Sequence, residues 1–508
     1  MQLKDIYFGA IDAKNEINNS SSDKIERFEK IFLMPDNIDI DSFENGDKFL
    51  IYGLKGTGKT ALLRYLDIYL QKKHYKTAFV LFKTDFSEEE KKEFNYQASN
   101  VLDYSNLKQE AEHKDFEMVW RWFFYRFLMN YMIRNNVLLF EDDDNWNKFY
   151  ACIDAIKGEN EQNKFFPKLK KGEVELNIKV IKGKLEFLNN NAKTVKFAKL
   201  VQSADDYFKK IRFIGKNRLY ILVDELELEY TTKKAYDRDA RIIRDLIVAV
   251  ERFNLMCRET AFPIHFIVSV RSEVLTAVSS IGKEINKTID DYGVSVSWHQ
   301  AGGNDKDHPL IHIIMKRLLV AEQLQDTNQN VSYLRNQYFP DKFIQKIQLE
   351  RYILNNSWYR PRDIVRLLNL AKENFPKETC FSHRVFDGIR KMYSTKSWTE
   401  CLEELKAHYN NDQLQSIVHI FNGWKRDFSL QDIEQRIDEL ITHDERIEIF
   451  AGKNVTVFLE RLYRMGIIGN KYWDNGTQRY RFIFRGDEVL FVNRTMTIHQ
   501  ALMPYFSL

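Results

Sequence analysis

The chain has 508 residues, 76 Lys and Arg against 73 Asp and Glu (a formal charge of +3), and 44% hydrophobic residues. That composition excludes an intrinsically disordered chain, and so small a charge does not by itself demand nucleic acid as a partner. The four cysteines, Cys152, Cys257, Cys380 and Cys401, lie far apart without a Cys-x-x-Cys pair; they imply neither a zinc site nor a disulfide framework, and a reducing cytoplasm is the expected compartment.

The start, Met1-Gln2-Leu3-Lys4-Asp5, has no basic segment leading into an apolar core, so a secretory leader is not expected. Residues 48–52 form a short apolar run that reads as a buried strand ending at Gly53. Gly53-Leu54-Lys55-Gly56-Thr57-Gly58-Lys59-Thr60 then fits the phosphate-loop pattern G-x-x-x-x-G-K-[ST]. Its glycines let the backbone fold tightly and turn N–H groups toward one anion. Leu62, Leu63, Leu66, Tyr69 and Leu70 follow at helical spacing, so a helix adds its positive N-terminal end. The nucleotide-binding segment is expected to run from Gly53 through Ala61. Lys59 would reach the β/γ-phosphates, and the Thr60 hydroxyl would ligate Mg²⁺.

Residues 77–82 read as a second strand, 87–93 as a charged segment, and about 94–213 as a mostly helical insertion. Its most apolar helix, 116–133, carries Glu117, Arg121 and Arg126, too many charges to span a bilayer, so no membrane partner is expected. Val174, Leu176, Ile178 and Val180 alternate with polar residues before Lys182-Gly183, which predicts a β-hairpin over 173–187. Lys164, Lys168, Lys170, Lys171, Lys179, Lys182 and Lys184 make the span 164–184 a nucleic-acid or partner contact, or else a solvated face balanced by Glu173, Glu175 and Glu186.

Residues 219–225 form an apolar strand ending in Asp224-Glu225. After a phosphate loop, this pair fits an Mg²⁺-holding carboxylate (Asp224) and a base for the attacking water (Glu225). Glu227 and Glu229 read as surface acids, Glu227 also as a lesser candidate for the metal periphery. A long helix over 236–258 carries Arg238, Arg241, Arg244, Arg252 and Arg258. Salt bridges to Asp239, Asp245 and Glu251 are their expected role, and a trans-acting arginine finger the alternative. The strand 264–271 ends near Ser269 and Arg271. Either suits a γ-phosphate sensor, and Arg271 suits it better because its charge is permanent and two-pronged. A turn-rich boundary at 290–303 with Trp298 and Gly302-Gly303 precedes helices over 310–325 and 337–356. In Arg360-Pro361-Arg362, Pro361 suits a helix's first turn. Arg362 is the expected second sensor, with Arg360 as competitor.

Beyond about 405 the texture changes. A helix around Leu414–421 is followed by another over 429–441, opened by a Ser429/Asp432 capping box, and a third over 455–465. A hairpin turns through Asp474-Asn475-Gly476. Three helices and a hairpin describe a winged helix, in which Arg461, Arg464, Lys471, Arg479 and Arg481 could meet DNA phosphates. A protein-docking module or lid is the equal alternative, since Glu460, Asp474 and Asp487 dilute that charge. His499 reads as packing.

This ordered set resembles AAA-like P-loop ATPases of the STAND and origin-recognition initiator type, and within them a little-characterised bacterial group with relatives in antiphage systems. Phe8-Gly9-Ala10-Ile11-Asp12-Ala13-Lys14-Asn15-Glu16 is similar to the segment that borders the adenine in that class. The resemblance implies an α/β fold: a P-loop NTPase parallel-sheet core with a helical insertion and β-hairpin, a helical lid and a C-terminal winged helix. It divides the chain into an ATPase domain (1–300, insertion about 94–213), a lid (301–404) and a winged helix (405–508). It further implies catalytic roles for Lys59, Glu225, Arg271 and Arg362, Mg²⁺ held by Thr60 and Asp224, and ATP as ligand. Guanine specificity is not expected, because neither Asn286-Lys287-Thr288-Ile289-Asp290 nor Phe82-Lys83-Thr84-Asp85 fits its usual segment. The chain departs from the pattern in the long stretch between Lys59 and Asp224, and in lacking a repeat array or a recognisable effector domain. The expected function is an ATP-hydrolysing switch acting as a homo-oligomer or with a protein partner. A DNA-binding initiator-like ATPase and a small-molecule P-loop kinase are the rivals.

Overall fold

A computed structural model describes residues 1–17, 22–100, 116–154, 173–175, 194–215, 217–228, 233–279, 285–300, 304–344, 347–406 and 408–508. The lysines of 164–184, with Glu186, Glu229, Gly302 and Gly303, lie outside them. The fold is mixed α/β. In chain order the first strands are β1 (Leu50–Gly53), β2 (Lys76–Leu81), β3 (Glu173–Glu175), β4 (Thr194–Lys196), β5 (Leu219–Leu226), β6 (Ile264–Arg271) and β7 (Gly293–Ser295). Among the described residues, five of these form an all-parallel sheet in the order β2-β5-β6-β1-β7. Val80 faces Val223 across β2 and β5, and Val223 faces Val268 across β5 and β6. Leu219 through Val223 are all buried. A parallel strand covered on both faces has no solvent side, which is why it reads as a continuous apolar run rather than an alternating one.

The chain divides into two compact units, one comprising Met1–Ile38, Gly53–Tyr65 and Ser295–Leu508, the other Asp39–Tyr52 and Leu66–Val294. The expected insertion 94–213 falls in the second unit, and the spans 301–404 and 405–508 both fall in the first.

In the second unit the sheet's core is continuous with the helices Phe116–Asn135 and Lys233–Glu259. Trp120 lies in that core and donates Nε1–H to the carbonyl of Ile242 at 2.9 Å. The helix Phe116–Asn135 buries residues around most of its circumference, including Trp120, Trp122, Phe123, Phe124 and Tyr125, so it has no polar stripe for periodicity to reveal. The charged stretch 87–93 belongs to a helix, Glu88–Asn100. Of the hairpin predicted over 173–187, only 173–175 lies within the described residues; it forms β3, antiparallel to β4 with Val174 opposite Val195. The proposed turn at Lys182-Gly183 lies outside the described residues. The turn-rich boundary contains β7, an edge strand too short to show an alternating pattern.

In the first unit the helices Pro309–Ala321, Asn328–Tyr338, Leu349–Asn356, Pro361–Asn374 and His383–Leu405 share one core. The single helix expected over 337–356 is replaced by a helix end, a small antiparallel pair, β8 (Phe343–Ile344) with β9 (Ile347–Gln348), and a new helix. Helices Asn411–Phe421, Leu430–Ile441 and Asn454–Arg464 follow. Then β10 (Asp427–Phe428), β11 (Ile468–Asp474), β12 (Thr477–Arg481) and β13 (Met496–Ile498) form a sheet ordered β10-β13-β11-β12. The β11–β12 turn is the two residues Asn475-Gly476, with φ of +47° and +75°. Positive φ at both positions matches the right-handed twist of a hairpin.

Candidate functional site

The loop from Gly53 to Thr60 leaves β1 and enters the helix Lys59–Lys72. Gly56 and Gly58 have φ of +82° and +99°, conformations an L side chain resists. The two glycines differ otherwise. A Cβ at Gly58 would meet nothing within 4 Å, so its surroundings are open. A Cβ at Gly56 would lie 3.3 Å from Arg360 Cδ and 3.4 Å from Arg362 Cβ. Gly53 is required by space alone, since a Cβ there would sit 2.6 Å from the carbonyl of Val296. Lys59 Nζ donates to the carbonyls of Gly53 and Leu54, both at 2.9 Å. Thr57 donates Oγ–H to the carbonyl of Leu54 at 2.9 Å, and its own carbonyl accepts from Trp298 Nε1 at 2.7 Å. Trp298, read as a boundary marker, therefore braces the loop.

Arg360 and Arg362, the competing sensor arginines, both stand at this loop. Arg360 is the N-cap residue of the helix Pro361–Asn374, and Pro361 occupies its first turn as expected. The Arg362 N–H approaches the carbonyl of Gly56 at 3.5 Å, and Arg362 Nη1 donates to Glu400 Oε1 at 3.0 Å. Arg366 binds the other Glu400 oxygen, and also Asp363 at 2.7 Å. Lys55, in the loop itself, pairs with Glu400, Glu403 and Glu404 at 3.5, 3.8 and 3.3 Å. Burial works against the Glu400 charge, but Arg366, Lys55 and Arg362 outweigh it and hold its carboxyl well below the usual carboxylate range. Asp363 goes the other way: burial, with Glu400 nearby, pushes its carboxyl up to about 6 despite Arg366.

The segment 8–16 is held by its backbone. Arg317 donates to the carbonyl of Phe8, and Asn369 Nδ2 to that of Gly9 at 3.0 Å. Glu16 is buried, and burial raises its carboxyl above its ordinary value.

In the other unit, Asp224 is buried near the end of β5 and accepts from Ser269 Oγ at 2.5 Å. Ser269 thus supports Asp224. Glu225 has φ of +61° where the β5–β6 register shifts between Val223 and Leu226. This β-bulge turns the carboxylate to Thr84, whose N–H and Oγ–H it accepts at 3.1 and 2.6 Å. Arg271 pairs with Glu227, which also takes Lys83 at 2.9 Å. Glu227 is therefore the partner of two cations rather than a free surface acid. Among the arginines of Lys233–Glu259, Arg238 and Arg244 pair with Asp239 and Asp245 as expected, whereas Arg252 pairs with Glu117.

The five C-terminal cations are mostly engaged. Lys471 pairs with Asp427 at 2.5 Å, Arg481 with Asp487 at 3.0 Å and Arg479 with Asp474 at 3.8 Å, and Arg461 lies over the Tyr409 ring. His499 is buried and stacked on Trp358, a packing role. Among the described residues, no helix is long and apolar enough to cross a membrane, and no three His, Cys, Asp or Glu residues gather as a metal-ligand set.

The sequence reading missed Glu400, Thr84 and Arg366. The Arg366–Asp363 pair, three positions apart, is the one local signal; the Glu400 and Thr84 contacts join residues 34 to 345 positions apart. No family model and no curated protein matches the chain.

Proposed function

We propose that this chain is an ATP-binding and ATP-hydrolysing switch of the AAA-like, STAND-related type. The observation that carries the proposal is the loop: two glycines with positive φ, an ammonium group turned onto the loop's own carbonyls, and two arginines beside Gly56. A loop of this kind, whose N–H groups would turn toward one anion beside a cation, suits a polyphosphate. Lys59 would hold the β/γ-phosphates, with Arg360 and Arg362 facing the same anion. By the resemblance, Thr60 and Asp224 would each offer Mg²⁺ an oxygen, and the ion takes one or two protein oxygens and completes its shell with phosphate and water. Bound there, the ion would offset charge developing on the transferred phosphoryl group. Glu225 would take the proton of the attacking water on a carboxylate oxygen, giving ADP and phosphate. Its hold on Thr84 sets its orientation. Arg271 would act as sensor after exchanging Glu227 for phosphate.

The three C-terminal helices and hairpin are read as a winged helix that docks protein. Three of its five cations already have carboxylate partners, which disfavours DNA. A cytoplasmic switch working as a homo-oligomer or with a protein partner, with antiphage defence as a setting, follows from the resemblance.

Calorimetry with Mg²⁺ and ATP tests the proposal. Lys59→Ala is expected to abolish binding, and Glu225→Gln to bind but release no phosphate. Absence of nucleotide uptake by the wild type at millimolar concentration overturns the proposal. Wild-type hydrolysis by Glu225→Gln overturns the base assignment.

A further inference from the structure

The cations nearest the loop do not face open water. Lys55 is 12% exposed and surrounded by Glu400, Glu403 and Glu404; Glu400, 15% exposed, also binds Arg362 and Arg366. Lys55 belongs to the phosphate loop, and Arg362 Cβ lies 3.4 Å from the position a Gly56 Cβ would take. One carboxylate therefore occupies a loop cation and a lid cation together. Both would serve a polyphosphate at this loop. Ion pairs this sheltered are strong enough to compete with a ligand, because water screens them little.

We propose that Glu400 is a positioning residue that acts as an internal competitor: its carboxylate holds Lys55 and Arg362 until a polyphosphate displaces it. The inference rests on the ATPase reading and concerns the regulation of the same site. Binding then exchanges one anion for another, so the nucleotide gains only the difference between the two. Arg366 stays with Asp363 after the exchange, which leaves a partner for its charge. A purely structural Glu400 has the opposite consequence. If it only fastens Arg362 in a productive position, removing its charge weakens binding.

The test is calorimetric titration of ATP and of inorganic triphosphate, each with Mg²⁺, into the wild type, Glu400→Gln, Arg362→Ala and the double variant. Glu404→Gln, at a more exposed position, serves as a second charge removal should Glu400→Gln fail to fold. The expected result is a roughly tenfold tighter Kd for both ligands in Glu400→Gln, with a smaller gain in Glu404→Gln. Arg362→Ala, which removes a cation facing the polyphosphate, is expected to weaken binding by itself, and the gain from Glu400→Gln should be clearly smaller in the double variant than with Arg362 present, a coupling that distant sites do not show. Unchanged or weaker binding by Glu400→Gln, or by Glu404→Gln where the former does not fold, overturns the inference while leaving the ATPase reading intact. A wild type that binds neither ligand overturns both.

Discussion

His308 caps the helix Pro309–Ala321 by accepting the Leu310 N–H on Nδ1 at 3.2 Å, and His499 does the same for Ala501 at 3.3 Å. An imidazole nitrogen accepts only while it carries no proton. Burial accordingly pushes His308 down to about 4 and His499 well below its ordinary value; His265, half-buried on β6, is also lowered to about 4. Each folded-state value lies below the unfolded one, so the unfolded chain takes up protons first. Their contribution to stability is complete above about pH 6.5 and is lost as the pH falls toward 4. Urea midpoints at pH 7.5 and 5.0 should show that loss. In His308→Asn, which keeps a capping acceptor but cannot titrate, the loss should shrink by about 1–2 kcal/mol.

At the scale of an element, the end of β5 separates what the sequence shows from what it hides. The apolar run 219–223 and its two carboxylates are visible in the sequence, as are the 264–271 strand, Pro361 in a first helical turn, and the Ser429/Asp432 capping box, which closes in both directions. Each rests on neighbouring residues. The bulge at Glu225, the short edge strand β7, the β3–β4 pairing and the Glu400 network depend on partners distant in the chain, which local pattern does not encode. The bulge makes its own prediction. Glu225→Ala and Glu225→Gly both lose the Thr84 bonds, but only glycine adopts φ of +61° without strain. Glu225→Gly should therefore be the more stable by about 1 kcal/mol in denaturant titration. Equal stabilities would mean that the left-handed backbone carries no strain.

At the scale of the molecule, two hydrophobic cores are built from different segments, one around Trp120, Phe124 and Phe266, the other around Trp398, Phe421 and Phe458. A chain with two cores need not melt as one unit. Scanning calorimetry should give a calorimetric enthalpy above the van't Hoff value, whereas a ratio of one would show a single cooperative transition. The tryptophans are distributed unevenly. Trp120, Trp122, Trp298, Trp358 and Trp398 are buried, while Trp473 on the β11–β12 hairpin is 70% exposed. A collisional quencher such as acrylamide will therefore darken the hairpin's indole well before the buried ones. The protein thus carries its own optical label at that tip, and a partner that covers the hairpin will register as emission restored, without any dye attached.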